Sequence, residues 1–329
     1  MPVREDGTVE QPPTGGPGPD SPLEVPASGW RAILTRTLRA IVHDRITITA
    51  AGVALYWFLS IFPLLFAAIG LLDVINAAPS TARAINDAIT QALPGDAAFL
   101  LTQAVSSAQS RAATGGVTAL LVGIALSLWS ASSGMAATQV GLDVAYDVPE
   151  DRTFLKKRLM GIILIVAAFV LGGIGVTCLV FGEPLSGFVR DHLPLGRYFG
   201  WVWDVARWAI TLVAVTLLFA IFYYVGPNRK PPNWKWLSPG GLVATALWLI
   251  ASLGFSWYVS GLGGTYARTY GALAGVVVLI LWLYLSAVAI LVGAELNGEL
   301  ERERAVLAEQ AEHLPSGRGA EERAAPDLR

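Results

Sequence analysis

The sequence predicts an all-α, polytopic membrane protein: six transmembrane helices, an N-terminal interfacial amphipathic helix, and short helices in the first outer loop. Three observations predict it. The 329 residues are 54% hydrophobic and only 15% charged, against roughly 25% charged in a soluble chain. Apolar runs of about 20 residues, the length that crosses a bilayer, recur six times. The basic residues gather on alternate connections.

Residues 1–29 hold seven prolines and almost no apolar run. They cannot bury enough surface to fold, and they lack the basic start and apolar core of a secretory leader. A disordered tail is expected there and again over 313–329, with the membrane domain spanning 30–312. Its first element, 30–45, sets Trp30, Ile33, Leu34, Leu38, Ile41 and Val42 at helical spacing among Arg31, Arg36, Arg39 and Arg45. Such a stripe enters the acyl boundary while arginines meet anionic head groups, either as a plain collar or as a lipid-responsive element.

The spans follow at about 48–73, 117–142, 159–182, 207–226, 239–260 and 271–294. Pro63 in the first removes a backbone hydrogen bond and kinks the helix. Loop 74–116 offers two short helices, about 80–92 and 95–110, broken at Leu93-Pro94-Gly95, with Asp96 placed to cap the second. Serines and small residues crowd span two ("SLWSASSGMAATQVG"). That composition suits close helix packing with interhelical hydrogen bonds, or the wall of a polar cavity. Between spans five and six, "VSGLGGTYARTYG" (259–271) reads as a tight glycine turn anchored by Tyr258, Tyr266 and Tyr270. Placing the N-terminus in the cytoplasm puts 17 of the 23 Lys and Arg on inner segments, including all four lysines. Both termini are therefore expected inside.

Five stretches carry a family resemblance: "AAGVALYWFLSIFPLL" (50–65), "LWSASSGMAATQVGLDVAY" (128–146), "RTFLKKRL" (152–159), "GPNRKPPNWKWLSPGGLVATALW" (226–248) and "TYGALAGVVVLILWLYLSAVAILVGAELNGEL" (269–300). In this order they resemble the YihY/BrkB family of bacterial inner-membrane proteins, over about residues 30–300. The resemblance implies six transmembrane helices, an inner-membrane location and no settled activity. The family has carried a virulence or serum-resistance label and, formerly, the label ribonuclease BN. Where its members usually have Asn near the end of span two, this chain has Asp143, which makes the position ionisable.

The residues speak against ribonuclease chemistry, which needs a metal cluster or paired acid and base groups at the phosphodiester. The three histidines, His43, His192 and His313, are scattered, with no His-x-His-x-Asp-His pattern. A net charge of −2 and no basic surface beyond the inner loops argue for no nucleic-acid partner. No cofactor or metal is expected, and the single cysteine, Cys178, permits no intramolecular disulfide.

Asp73, Asp143 and Glu295 lie near span ends, so no carboxylate relay is expected at mid-depth. A cavity opening to the inner face remains. Glu295, Asn297, Asp143, Tyr56, Ser60, Pro63 and Tyr270 are the candidate cavity or latch residues. Glu295 is expected to turn inward and pair with an inner-loop base: Arg152, Lys156, Lys157, Arg158, Arg229 or Lys230. Glu299, Glu301 and Arg302 read as a solvated exit from lipid. Two functions follow. One is a transporter or lipid-handling protein in contact with membrane lipids, admitting a small solute or amphiphile between spans two, five and six. The alternative is a non-catalytic envelope scaffold or a virulence and serum-resistance factor.

Overall fold

A computed structural model describes residues 21–22, 25–74, 102, 122–123, 125–192, 196–229, 238–270 and 272–313. The regular elements among them are helices: α1 (Ala27–His43), α2 (Ile46–Val74), α3 (125–145), α4 (Phe154–His192), α5 (Gly196–Val225), α6 (Ser238–Tyr270) and α7 (Ala272–His313). Apart from Thr102, the expected helices in 74–116 lie outside the described residues, as does most of both tails; the expected tail boundary at residue 29 is corrected, since α1 begins at Ala27 and Val25 is buried against Ile33, Leu296 and Leu300.

Four stretches among the described residues are long and apolar enough to cross a membrane: Phe154–Gly175, Val205–Val225, Pro239–Tyr258 and Val276–Gln310. α2 adds a shorter apolar stretch, Ile46–Ile61. Most of each long stretch is not buried in the protein; α4 turns Phe169 and Val170 outward, and α6 turns Ile250, Leu253 and Trp257 outward. An apolar belt of that extent suits lipid, where helices satisfy their own backbone polar groups.

The helices outrun the expected spans. α4 and α5 are separated only by residues 193–195, and α6 runs through the glycine-rich segment to Tyr270 instead of turning at 259–271. Continuing a helix through Gly costs about 1 kcal/mol per residue, less than leaving peptide groups unsatisfied in or beside lipid. Pro63 lies inside α2 without ending it.

α7 is the axis, packed against α1, α2 and α6, while α5 bridges α4 and α6. The shared core draws Val53 from α2, Leu142 from α3, Leu164 from α4, Phe222 and Tyr223 from α5, and Ile290 and Leu291 from α7. Tyr223 donates its hydroxyl to the Ile290 carbonyl at 2.8 Å, fixing α5 on α7. With 42 residues, α7 is about 63 Å long, twice a hydrocarbon core of about 30 Å. Its second half therefore extends beyond lipid as the charged end of the bundle.

α1 meets that half. It buries Gly29, Ile33 and Thr37, and Ile33 joins Leu296 and Leu300 in a small cluster with Val25. Leu34, Leu38 and Val42 stay exposed. α1 thus has two apolar faces where the sequence suggested one stripe, because Ile33 belongs to the protein side. The chain reverses into α2 through Arg45, whose φ of 51° is left-handed and costs roughly 1–2 kcal/mol for a residue with a Cβ. Asp44 closes α1 by donating its N–H to the Ala40 carbonyl at 2.8 Å, and the Arg45 carbonyl starts α2 by accepting from Ile48 at 2.9 Å.

Candidate functional site

The charged end is built on α7 from Gly293 to Glu303, where successive residues face different neighbours. At Gly293 a Cβ would come 2.6 Å from the Gly240 carbonyl oxygen and 2.8 Å from the Ala244 Cβ, so α6 touches α7 backbone to backbone. Four residues on, Asn297 is fully buried. Its Oδ1 accepts the Gly240 N–H at 2.8 Å, satisfying an orphan donor in the first turn of α6 from outside that helix. Gly298 faces the end of α3, with the Ala145 carbonyl oxygen 3.2 Å from where a Cβ would be.

Glu299 is buried and held by two arginines. Arg36 of α1 donates Nε to it at 2.6 Å, and Arg302, which also pairs with Asp147, binds its other oxygen. The second arm of Arg36 reaches Glu303 at 2.7 Å. Glu301 takes a two-pronged contact from Arg229, whose guanidinium lies 3.9 Å from the centre of the Tyr146 ring. Forked, stacked contacts of this kind need Arg rather than Lys. The expectation of a solvated exit is therefore corrected: Glu299, Glu301 and Arg302 fasten α1, α3 and the 226–229 segment to α7.

A second network joins the α3–α4 connection to the end of α5. Arg152 donates to Gln139 Oε1 at 2.9 Å and to the carbonyls of Val225, Gly226 and Pro227. A cation over a helix C-terminus is favourable, and these carbonyls have no partner within α5. Gln139 in turn donates to the Lys157 carbonyl at 3.0 Å. Asp143 accepts the Asn228 N–H at 2.7 Å, and Asn228 donates to the Glu150 carbonyl. Asp143 lies just past the apolar run of span two. Burial pushes its carboxyl up to about 6, opposed by the Asn228 hydrogen bond.

Glu295 is the exception in this region. It turns inward and is only 2% exposed, yet its Oε1 has no hydrogen-bond partner. The carboxyl beside it is Asp44, at the α1–α2 reversal. The expected pairing with an inner-loop base is thus corrected. Arg152 and Arg229 are committed as above, Lys157 pairs with Asp151, and Arg158 reaches Ser132 and lies over the Phe154 ring at 5.2 Å. Lys156 is exposed, and Lys230 lies outside the described residues. The bases of these loops are aimed at α3, α5 and the far side of α7, whereas Glu295 points toward α1 and α2.

The remaining candidates do not converge on this place. Tyr56 is half-exposed on α2. Ser60 donates to the Tyr56 carbonyl at 2.7 Å and packs on Gly134 of α3. Pro63 is farther along α2, and Tyr270 closes α6 at the end opposite Gly240. Asp44, Arg36 and Arg152 as a C-terminal cap were missed. "RTFLKKRL" offered a signal for Arg152, but nothing in sequence brings residue 44 to residue 295. Among the described residues, no group of three His, Cys, Asp or Glu could hold a metal ion.

The family described as virulence factor BrkB matches residues 37–318. YfkH of Bacillus subtilis (strain 168), whose name calls it a ribonuclease-like protein, is 32% identical over 264 residues, covering 80% of this chain and 93% of its own. A UPF0761 membrane protein of Alteromonas mediterranea is 27% identical over 83% of this chain and 88% of its own. Another, from Azoarcus sp. (strain BH72), is 25% identical over 82% of this chain and 66% of its own. No solved structure matches the chain.

Proposed function

The chain belongs to the virulence factor BrkB family, and from that premise we propose that it is a six-span protein of the bacterial inner membrane that carries a small polar solute or an amphiphile. The charged end and both termini face the cytoplasm in this reading. The exposed Leu34, Leu38 and Val42 of α1 rest in the inner leaflet, with Arg31 and Arg39 at its head groups.

One observation carries the transport reading: the buried carboxyl of Glu295 at the membrane edge, whose Oε1 has no hydrogen-bond partner and whose neighbour is another carboxyl, that of Asp44. Its acidic neighbours on α7 are salt-bridged. A buried acid without a cationic partner costs stability, and in a membrane protein it marks a functional position. Non-catalytic action is supported by the same geometry, since the arginines that an RNA site would use are bound to carboxylates and backbone carbonyls.

The test is a comparison of wild type and Glu295→Gln reconstituted in vesicles loaded with a cell extract. Wild-type vesicles should gain or lose particular solutes or lipids, read by mass spectrometry, and the variant should not. Identical contents in both would overturn the reading. An envelope scaffold is the second reading, favoured by the rigid fastening of α7 to its neighbours at one end. A stoichiometric protein partner captured by crosslinking in intact cells would support it.

A further inference from the structure

We propose that Arg158, seated on the Trp129 and Phe154 rings beside Ser132, binds the phosphate of an anionic phospholipid in the leaflet around the charged end of the bundle. The site rests on α4 crossing the membrane and is independent of the transport reading.

Close contact between α3 and α4 builds the site. At Gly161 an added Cβ would lie 3.1 Å from the Ser132 carbonyl oxygen, so the two helices meet there. Ser132 is fully buried at that contact, and its hydroxyl donates to the Trp129 carbonyl at 2.5 Å. Its oxygen is left as an acceptor, and Arg158 donates Nη1 to it at 3.2 Å. The guanidinium carbon lies 5.2 Å from the centre of the Phe154 ring and 6.0 Å from that of Trp129. The two rings meet edge to face at 6.0 Å, forming a corner that attracts and orients the cation.

What the guanidinium lacks is an anion. Arg36, Arg152, Arg229 and Arg302 at the same end are bound to carboxylates or backbone carbonyls. Among the described residues no acid and no carbonyl binds Arg158, and the contact with Ser132 leaves the rest of its N–H fork unused. The surface around it is apolar. Phe154, Leu155, Leu159 and Ile163 of α4 and Leu126 of α3 are exposed. Phe154 also opens the stretch of α4 that is apolar enough to cross a membrane. Arg158 therefore stands one turn inside the edge of the lipid-facing belt, where a cation is costly unless it is paired. The phosphate of a phospholipid lies at that level, and its oxygens match a guanidinium fork two at a time. Its acyl chains then run along Leu159 and Ile163. A zwitterionic lipid carries its own amine beside the phosphate, whereas an anionic one offers its whole charge to Arg158. Free phosphate matches the fork and leaves the apolar wall bare.

The experiment offers the full chain in detergent equal amounts of phosphatidylglycerol and phosphatidylcholine with the same acyl chains, with and without inorganic phosphate. Gel filtration removes free lipid, and mass spectrometry quantifies what the protein carries. Wild type should carry phosphatidylglycerol in severalfold excess over phosphatidylcholine, and phosphate should not displace it. Arg158→Gln should lose most of that excess. Lys156→Gln removes an equal charge from an exposed side chain two residues away and should keep it. Equal losses in the two variants, or no excess in wild type, overturn the site. Displacement by phosphate makes it a site for the free ion and overturns the lipid. Should Arg158→Gln not fold, Arg158→Lys decides, since it keeps the charge without the fork; an undiminished excess there overturns the forked phosphate contact. No transported solute enters the readout, so failure of the transport reading leaves the site standing.

Discussion

Substituting Gly293 by Ala tests whether α7 is held by backbone contact at its charged end. The added Cβ would lie 2.8 Å from the Ala244 Cβ and 2.6 Å from the Gly240 carbonyl oxygen, and would collide with the Tyr223 hydroxyl. Carbon atoms rest about 3.5–4.0 Å apart, so α6 must retreat by roughly 0.7 Å or more. Overpacking of this kind costs about 1–3 kcal/mol. Displacing Tyr223 also weakens its bond to Ile290, worth about 1 kcal/mol. The helical preference of Ala over Gly returns about 1 kcal/mol, leaving a net loss of about 1–3 kcal/mol. At roughly 2–4 °C per kcal/mol for a chain of this order, the midpoint of tryptophan-fluorescence unfolding in detergent should fall by roughly 2–12 °C. Gly254→Ala is the control, since Gly254 lies on α6 with nothing within 4 Å of the added atom. It should melt at or slightly above wild type. If Gly293→Ala melts with Gly254→Ala, the close α6–α7 contact is refuted.

Two further predictions concern the second network. Arg152→Lys keeps the charge but cannot reach Gln139 and three carbonyls at once. It should lose about 2–4 kcal/mol in the same unfolding assay, and an unchanged midpoint would refute the capping role. Asp143 titrates from 3.8 unfolded to about 6 folded, so the native state holds that proton more tightly and wild-type stability falls as pH rises from about 4 to about 6. Asp143→Asn should match wild type near pH 4 and melt higher above pH 6. A difference that shrinks as pH rises would contradict this.

Four of the expected spans, those about 159–182, 207–226, 239–260 and 271–294, were legible because each is an unbroken apolar run of bilayer length, and the inward turn of Glu295 was legible from its place at the edge of the last run. Its neighbour was not. Residues 44 and 295 meet because α1 folds back along α7, a contact set by Ile33, Leu296 and Leu300 that leaves no local periodic trace. The same docking turned Glu299 from an apparently solvated residue into a buried one. On sequence spacing alone, "ELERER" is indistinguishable from an exposed helix. Asn297 was singled out as a cavity or latch position, whereas its role as an external cap for α6 depends on two glycines, Gly240 and Gly293, meeting across helices. Helix ends past the spans were misjudged where glycine suggested a turn and the chain stayed helical to Tyr270.

The central claim is that neighbouring acids on one helix have opposite roles: Glu299 fastens the bundle and Glu295 does not. Unfolding midpoints of Glu295→Gln and Glu299→Gln, measured side by side at neutral pH, test it most directly. Glu299→Gln strips two arginines of a buried partner and should melt lower by an amount equivalent to about 1–3 kcal/mol. Glu295→Gln loses no ion pair and should melt no lower than wild type. If Glu295→Gln melts as low as Glu299→Gln, Glu295 is a structural latch and the claim is wrong.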